Sequence, residues 1–469
     1  MKVIHKILII TCILSLGIFH SCSDDKFDEI GTNPNSPTEV PIKLLMPQVG
    51  VETAFAVAGT DLAWYSSVFV EHTTGVHGQL ETADKRTAIN STIGNNSWNT
   101  LYAGALNDLN IIINRGSDGG AEEGHWNAVG IAKVLTAYNY SVATDLWGEV
   151  PFDEALQGSE NRTPVFDNQE NVYTGMQLIL DDAIADLQKE SVTNVGTNDF
   201  YYEGDSEQWI KAAYALKARF YNHLSRKDPA GSATNVLSAV ANAFVTNEDG
   251  MIFNSFTTDA TGEHPWYQEQ NDRSHHAIST TIYDLINDLG DPRGDLWFGT
   301  VGGVVVPAPN GTAVTDQGGN IYSRASRDYL TATSPLPIIT YDEIKFLEAE
   351  AQLRLENDTE AYAAYLDGIE AALERAEVEE DDITAYLARG TVSVGEGNLT
   401  LENIINQKYI AFWLFQPIEA YNDYRRTEIP SLNNPVSAPP NRFPYPQDEV
   451  AANPNVPDRT IQNKVWWAE

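Results

Sequence analysis

Cysteine is nearly absent from this 469-residue chain, which has only Cys12 and Cys22. Cys12 lies inside an apolar run that is helical or unfolded at export, which argues against a disulfide-framed fold. Basic residues are scarce too: 29 Lys and Arg stand against 66 Asp and Glu, a formal net charge of −37. A surface of that sign repels nucleic acid and anionic lipid and makes an acidic ligand a poor fit. Beyond the N-terminus no apolar stretch approaches the roughly 18 residues of a spanning helix. Catalytic signatures are missing: there is no H-E-x-x-H, no G-x-S-x-G, no P-loop and no G-x-G-x-x-G fingerprint. His72 and His77 are five apart and His275 and His276 are adjacent, and neither spacing comes with a third zinc ligand. Asp288, Asp291 and Asp295 in DLGDPRGD depart from EF-hand spacing; turn formation is their ordinary role, with a loop calcium as the alternative. No metal and no cofactor is expected.

What is present begins with an export signal over residues 1–21. Lys2 and Lys6 form a positive start, and Ile7 to Phe19 an apolar stretch too short to cross a bilayer. Ser21 precedes Cys22 as a lipoprotein signal peptidase requires, although Phe19 stands where Leu is usual and His20 where a small residue is usual. The alternative is an ordinary cleaved signal with an incidental cysteine. The acids after Cys22 (Asp24, Asp25, Asp28, Glu29) resemble the surface-export signal of lipoproteins in the Bacteroidetes. Lipidation at Cys22 would leave the mature chain without a free thiol and hold it on the membrane through buried methylenes, at roughly 0.8 kcal/mol each. Residues 22–40, polar and proline-rich, read as a lipid-anchored tether. Residues 41–469 contain no linker and read as one domain.

Helical periodicity dominates that domain. Trp98, Leu101, Tyr102, Ala105, Leu109 and Ile112 step by three and four, as do Trp126, Val129, Leu135, Tyr138 and Val142. Further stripes run through Val172 to Leu187, Trp209 to Leu224, Ile344 to Leu355 and Ile405 to Phe412. Gly119-Gly120 separates the first two stripes by a short turn, the arrangement of helix pairs. Residues 73–97 and 250–335 show little helical pattern beyond Ile282 to Leu289, with a short β-branched run at Val301 to Val306. They read as long insertions laid over a helical scaffold, where function concentrates.

Two acidic groups invite a catalytic reading and fail it. Asp145, Glu149, Asp153 and Glu154 in DLWGEVPFDEA read as caps and solvated charges around a helix end made by Gly148 and Pro151. Glu348 and Glu350 are two residues apart, about 200° around a helix, and cannot converge on one bond. One of them is expected to face inward and to need a partner.

Several segments in order resemble the SusD/RagB family of outer-membrane nutrient-binding lipoproteins, in its SusD-like second subgroup. They are FDEIGTNPNSPTEV, ATDLWGEVPFDEALQG, TPVFDNQENVYTGMQLILDDAIADL, DPR at 291–293, ITYDEIKFLEAEAQLR, QKYIAFWLFQPIEAYNDYRRTEIPSL and RFPYPQDEVAANPN, spanning nearly the whole mature chain. The resemblance implies a mainly α fold of tetratricopeptide-like helix pairs, with loops and small strands carrying the ligand site. The sequence itself shows no clean repeat of about 34 residues. It also implies a SusC-like TonB-dependent transporter as partner, over which the protein acts as a lid, and a place on the outer membrane exposed at the cell surface. Within the family's RRT-like segment, Arg425 and Arg426 are the best partners for an inward Glu350, as a buried ion pair joining two helices.

A sugar site needs flat apolar faces for ring C–H groups and amides or carboxylates for hydroxyls. Trp98, Trp126, Trp147 and Trp209 fall on helical stripes and read as core, and Trp466 and Trp467 as packing for the chain end. This leaves Trp64 with Tyr65, Trp266 with Tyr267 and Gln268 in HPWYQEQND, Trp297 and Tyr322 as ligand-contact candidates, each with buried loop anchoring as its alternative. His77, with Gln79 and Asn95, is placed on an opposite wall. The leading expectation is a cell-surface, non-enzymatic binding protein that captures a glycan or oligosaccharide for its transporter. The alternatives are a peptide-binding lid of the same kind, a surface glycoside hydrolase with two carboxylates roughly 5 to 10 Å apart, and a structural lid without a ligand.

Overall fold

The computed structural model describes residues 40–469. Helices begin where side chains can take up free backbone N–H groups. The Asn168 carbonyl accepts from Asn171 N at 2.9 Å to open Gln169–Leu187. The Asp205 carboxylate accepts from Glu207 N at 2.9 Å to open Ser206–His223, and Ser279 Oγ accepts from Ile282 N at 3.2 Å to open Thr280–Leu289. The longest helix among the described residues, Trp126–Trp147, stops at Gly148, whose φ of 78° suits glycine alone without strain.

Consecutive helices pack in pairs. Leu106–Gly116 lies on Trp126–Trp147, which lies on Gln169–Leu187; Ser206–His223 lies on Pro229–Val240, and Tyr341–Arg354 on Asp358–Arg375. This is the tetratricopeptide-like scaffold that the resemblance implies. Ile42–Glu469 forms one compact unit. Its principal apolar core runs from Ile42 to Ala468, and a smaller one gathers around Phe346, Tyr365, Ile369 and Tyr386. Strands are minor: β1 (Thr73–Gly75) pairs antiparallel with β3 (His276–Ile278), and β2 (Met251–Phe253) with β4 (Leu336–Ile339).

The two segments read as insertions hold more helix than their patterns suggest. Gly78–Asp84 is helical within the first, and Pro265–Gln268, Glu269–Arg273 and Arg293–Trp297 are short helical pieces within the second. Each is too short to show a repeat of 3.6 residues. The stripe from Trp98 to Ile112 contains a π-helical stretch, Thr100–Ala105. Val301 and Val304 form a bridge around Gly302-Gly303 rather than a longer strand.

A buried ionic seam ties the helices together. Arg219 Nε and Nη2 each donate to Glu343 at 2.6 Å. Glu350 meets Arg426 at 2.8 Å, Arg354 at 3.4 Å and Lys408 at 3.7 Å. Burial pushes the Glu350 carboxyl up, and these three cations outweigh it and hold it below the usual carboxylate range. Arg425 makes no pair with Glu350. Its Nη1 donates to the carbonyl of Asp145 at 2.7 Å, and its guanidinium lies over Tyr421, 4.1 Å from the centroid. The two arginines are adjacent on one helix and so point about 100° apart, which corrects the assignment of Arg425 to that ion pair. Asp145 is buried rather than solvated: it accepts from Trp467 Nε1 at 3.0 Å and Asn422 Nδ2 at 3.2 Å. The chain end is therefore pinned by Trp467.

Candidate functional site

An open cleft of about 530 Å³ lies just before β3 in the chain, at Ser274. Gln270, Asn271 and Ser274 come to it from the stretch after HPWYQ, and Gln317, Tyr322, Arg324 and Arg327 from the loop that returns toward β4. Asp316 shapes that loop by accepting from the backbone N–H groups of Asn320, Ile321 and Tyr322, at 3.1, 3.1 and 2.9 Å. Those bonds and the Arg324 contact hold its carboxyl below the usual range, although burial acts the other way. Arg324 is spent on structure: it binds Asp316 Oδ2 at 3.0 Å, Tyr322 O at 2.7 Å and Ser274 Oγ at 3.2 Å. Arg327 is exposed and lies 5.3 Å from the Tyr267 ring centroid. Gln270 gives its Nε2 to Ala325 O at 2.9 Å, which leaves its carbonyl oxygen for other donors. Gly299, Gly318 and Gly319 also line the cleft and let a ligand approach the backbone closely.

The eight ligand-contact candidates divide. Trp266, Trp297, Tyr65 and Tyr322 are only 1%, 2%, 3% and 8% exposed, so their rings are mainly anchors. Tyr322 nevertheless lines the cleft, with its hydroxyl accepting from Val314 N at 3.2 Å. Tyr65 donates to Gln79 Oε1 at 3.3 Å, away from the cleft lining. Trp64 and Tyr267 are half-buried, and Gln268 donates to Ala260 O at 3.0 Å. His77 Nδ1 meets His275 Nε2 at 3.1 Å, next to Ser274. Neither His77, Gln79 nor Asn95 lines the cleft; its second wall comes from residues 317–327 instead. Behind it, Glu269 is buried and accepts from His275 N at 2.8 Å. Burial pushes its carboxyl up to about 7.

Trp297 belongs to a different cleft, of about 310 Å³, which also takes Tyr329, Arg375, Glu377 and Phe415. No sequence signal marks these four, because Tyr329 lies in an aperiodic loop and the other three fall at helix ends, outside any stripe. Among the described residues no group of three or more His, Cys, Asp or Glu is placed to hold a metal ion, and no helix is long and apolar enough to cross a membrane.

Against known proteins, residues 34–446 match the SusD-like family model described as starch-binding and associating with the outer membrane. The chain belongs to the SusD-like family. A SusD/RagB family protein from Bacteroides thetaiotaomicron shares 30% identity with this SusD-like chain at a TM-score of 0.82, over 92% of this chain and 99% of that one. A chitin-binding SusD homologue from Flavobacterium johnsoniae is 21% identical at a TM-score of 0.76, over 91% and 97% of the two chains. A SusD homologue from Bacteroides uniformis is 21% identical at 0.75, over 92% and 100%. These last two show the shared fold. No curated protein sequence matches. Proteins of the SusD-like family are binding proteins associated with the outer membrane rather than enzymes.

Proposed function

We propose that this SusD-like protein is a lipid-anchored receptor on the cell surface that captures a glycan or oligosaccharide in the 530 Å³ cleft and passes it to a SusC-like TonB-dependent transporter. The observation that carries the reading is the lining: three side-chain amides, three serine hydroxyls and an exposed arginine around an open groove of ligand size. Amides recognise sugar hydroxyls because each offers a donor and an acceptor at a fixed spacing. Two structures of the same fold are described as chitin-binding proteins, which favours saccharide cargo over peptide. Accessible aromatic surface in this cleft is modest, so hydroxyl recognition outweighs stacking.

The test is calorimetric titration of the mature chain against oligosaccharides of varied linkage and against peptides. Saturable binding of a saccharide, weakened about tenfold or more by Asn271→Ala with Arg327→Ala, is expected from the loss of two polar contacts. Binding of peptides alone would replace the cargo, and saccharide binding indifferent to both substitutions would move the site.

A further inference from the structure

We propose that the smaller cleft is a separate saccharide subsite that takes a single neutral pyranose ring. Its volume, about 310 Å³, lies at the lower end of small-molecule sites and suits one hexose. The floor is a stack of nearly parallel rings. Trp297 lies on Trp413 at 5.2 Å and 19°, Tyr329 on Trp413 at 5.9 Å and 21°, and Tyr329 on Phe415 at 5.4 Å and 27°. Trp297 and Phe415 are buried and Tyr329 is half-buried, so Tyr329 is the ring with surface left for the C–H face of a sugar. The loop that holds it is braced: Ser334 Oγ accepts from Thr331 N at 2.9 Å and donates to Tyr329 O at 3.1 Å.

The polar groups around this floor are set in place yet unspent. Arg375 Nε and Nη2 donate to the two oxygens of Asp342 at 2.9 Å each, and Nη2 also to Ala411 O at 3.1 Å. Its Nη1 has no protein partner among the described residues, so the guanidinium is fixed with one donor free. Two residues on, Glu377 is exposed and sits at φ 57°, the left-handed position that closes the helix Asp358–Arg375, with Val378 N donating to Leu373 O at 3.1 Å. Its carboxylate and that of Asp328 on the same cleft have no partner among the described residues. The indole N–H of Trp297 is buried without an acceptor, an unmet donor in the wall. A fixed donor beside free carboxylates matches a vicinal diol, whose hydroxyls each give and take a hydrogen bond. Asp342 neutralises Arg375, so the remaining charge is acidic and turns away uronates and sulfated sugars. This subsite shares no lining residue with the larger cleft and stands or falls without it.

Saturation-transfer NMR on the full chain with methyl glycosides of glucose, galactose, mannose, xylose and N-acetylglucosamine tests the assignment. At least one is expected to receive saturation on its ring protons. Glu377→Gly, which suits the left-handed backbone, should weaken that glycoside's apparent affinity about fivefold, as for one lost hydrogen bond. Thr333→Trp, which adds bulk at the exposed rim and leaves the floor intact, should abolish the signal at an unchanged melting temperature. Asn271→Ala in the larger cleft should leave it unchanged. The proposal is overturned if no glycoside is saturated, if the signal survives Thr333→Trp, or if it follows Asn271→Ala instead.

Discussion

At the scale of single residues, buried charge decides most. The sequence shows that Glu348 and Glu350 point apart and that one must find a cation, because that follows from helical rotation alone. It does not show which of two adjacent arginines turns toward it, since that depends on how two distant helices are rotated against each other. Glu350 is fully buried among Arg426, Arg354 and Lys408, none of which lines either cleft. Glu350→Ala leaves those cations uncompensated and is expected to cost about 3–5 kcal/mol in denaturant unfolding, while the fraction that folds keeps its ligand affinity. Glu269 is a different case, because burial rather than a partner sets its behaviour. The folded state holds its proton up to about pH 7, against 4.5 ordinarily. Its contribution to stability is therefore fully present below the ordinary value and is lost as pH rises from there through about 7. Glu269→Gln keeps an acceptor for His275 N without a charge. Across that window the wild-type chain should lose on the order of 3 kcal/mol that the variant retains, measured as unfolding free energy against pH.

At the scale of elements, the stripes that were readable belong to helices with one wet face. Trp209, Ala213, Leu216 and Phe220 are all buried in Ser206–His223, while Glu207 and Tyr214 on the same helix keep some exposure. Trp126–Trp147 is buried nearly all round, so its stripe under-reports how much of it is core. Asp358–Arg375 shows no clear stripe in sequence because its buried face is mostly alanine and glycine, whose burial carries little hydrophobic contrast. Those small residues let helices approach closely. A Cβ on Gly130 would lie 2.5 Å from Leu187 Cγ and 3.2 Å from the Ala183 carbonyl, and one on Gly368 would lie 2.9 Å from the Phe346 ring. Alanine at either site gains about 1 kcal/mol of helix propensity but overpacks the contact by about 1–3 kcal/mol. The ring of Phe346 and the backbone of Ala183 have nowhere to move, so overpacking should win. Gly130→Ala and Gly368→Ala are each expected to lower the denaturation midpoint, whereas an alanine at Gly390, with nothing within 4 Å, should not.

At the scale of the whole molecule, the family and its helical scaffold were legible because the matching segments are spread along the chain in order. The clefts were not, because they are assembled from residues as far apart as Ser274 and Gln317, or Ile252 and Phe415, by turns that carry no periodicity. The anchor stands on different ground: Cys22 and the signal before it lie outside the described residues, and the compact unit begins at Ile42. No described helix is long and apolar enough to cross a membrane, and the net charge of −37 opposes adsorption to anionic lipid. The anchor proposed above is a set of acyl chains at Cys22, whose affinity scales with their buried methylenes. Cys22→Ser is expected to abolish incorporation of labelled palmitate and to move the protein from the membrane to the soluble fraction. Its unfolding midpoint and saccharide affinity should stay at wild-type values, since every residue of both clefts belongs to the unit that starts at Ile42. A variant that remained membrane-bound without label would place the attachment elsewhere, and one that lost saccharide affinity would mean that the N-terminal segment contributes to the site.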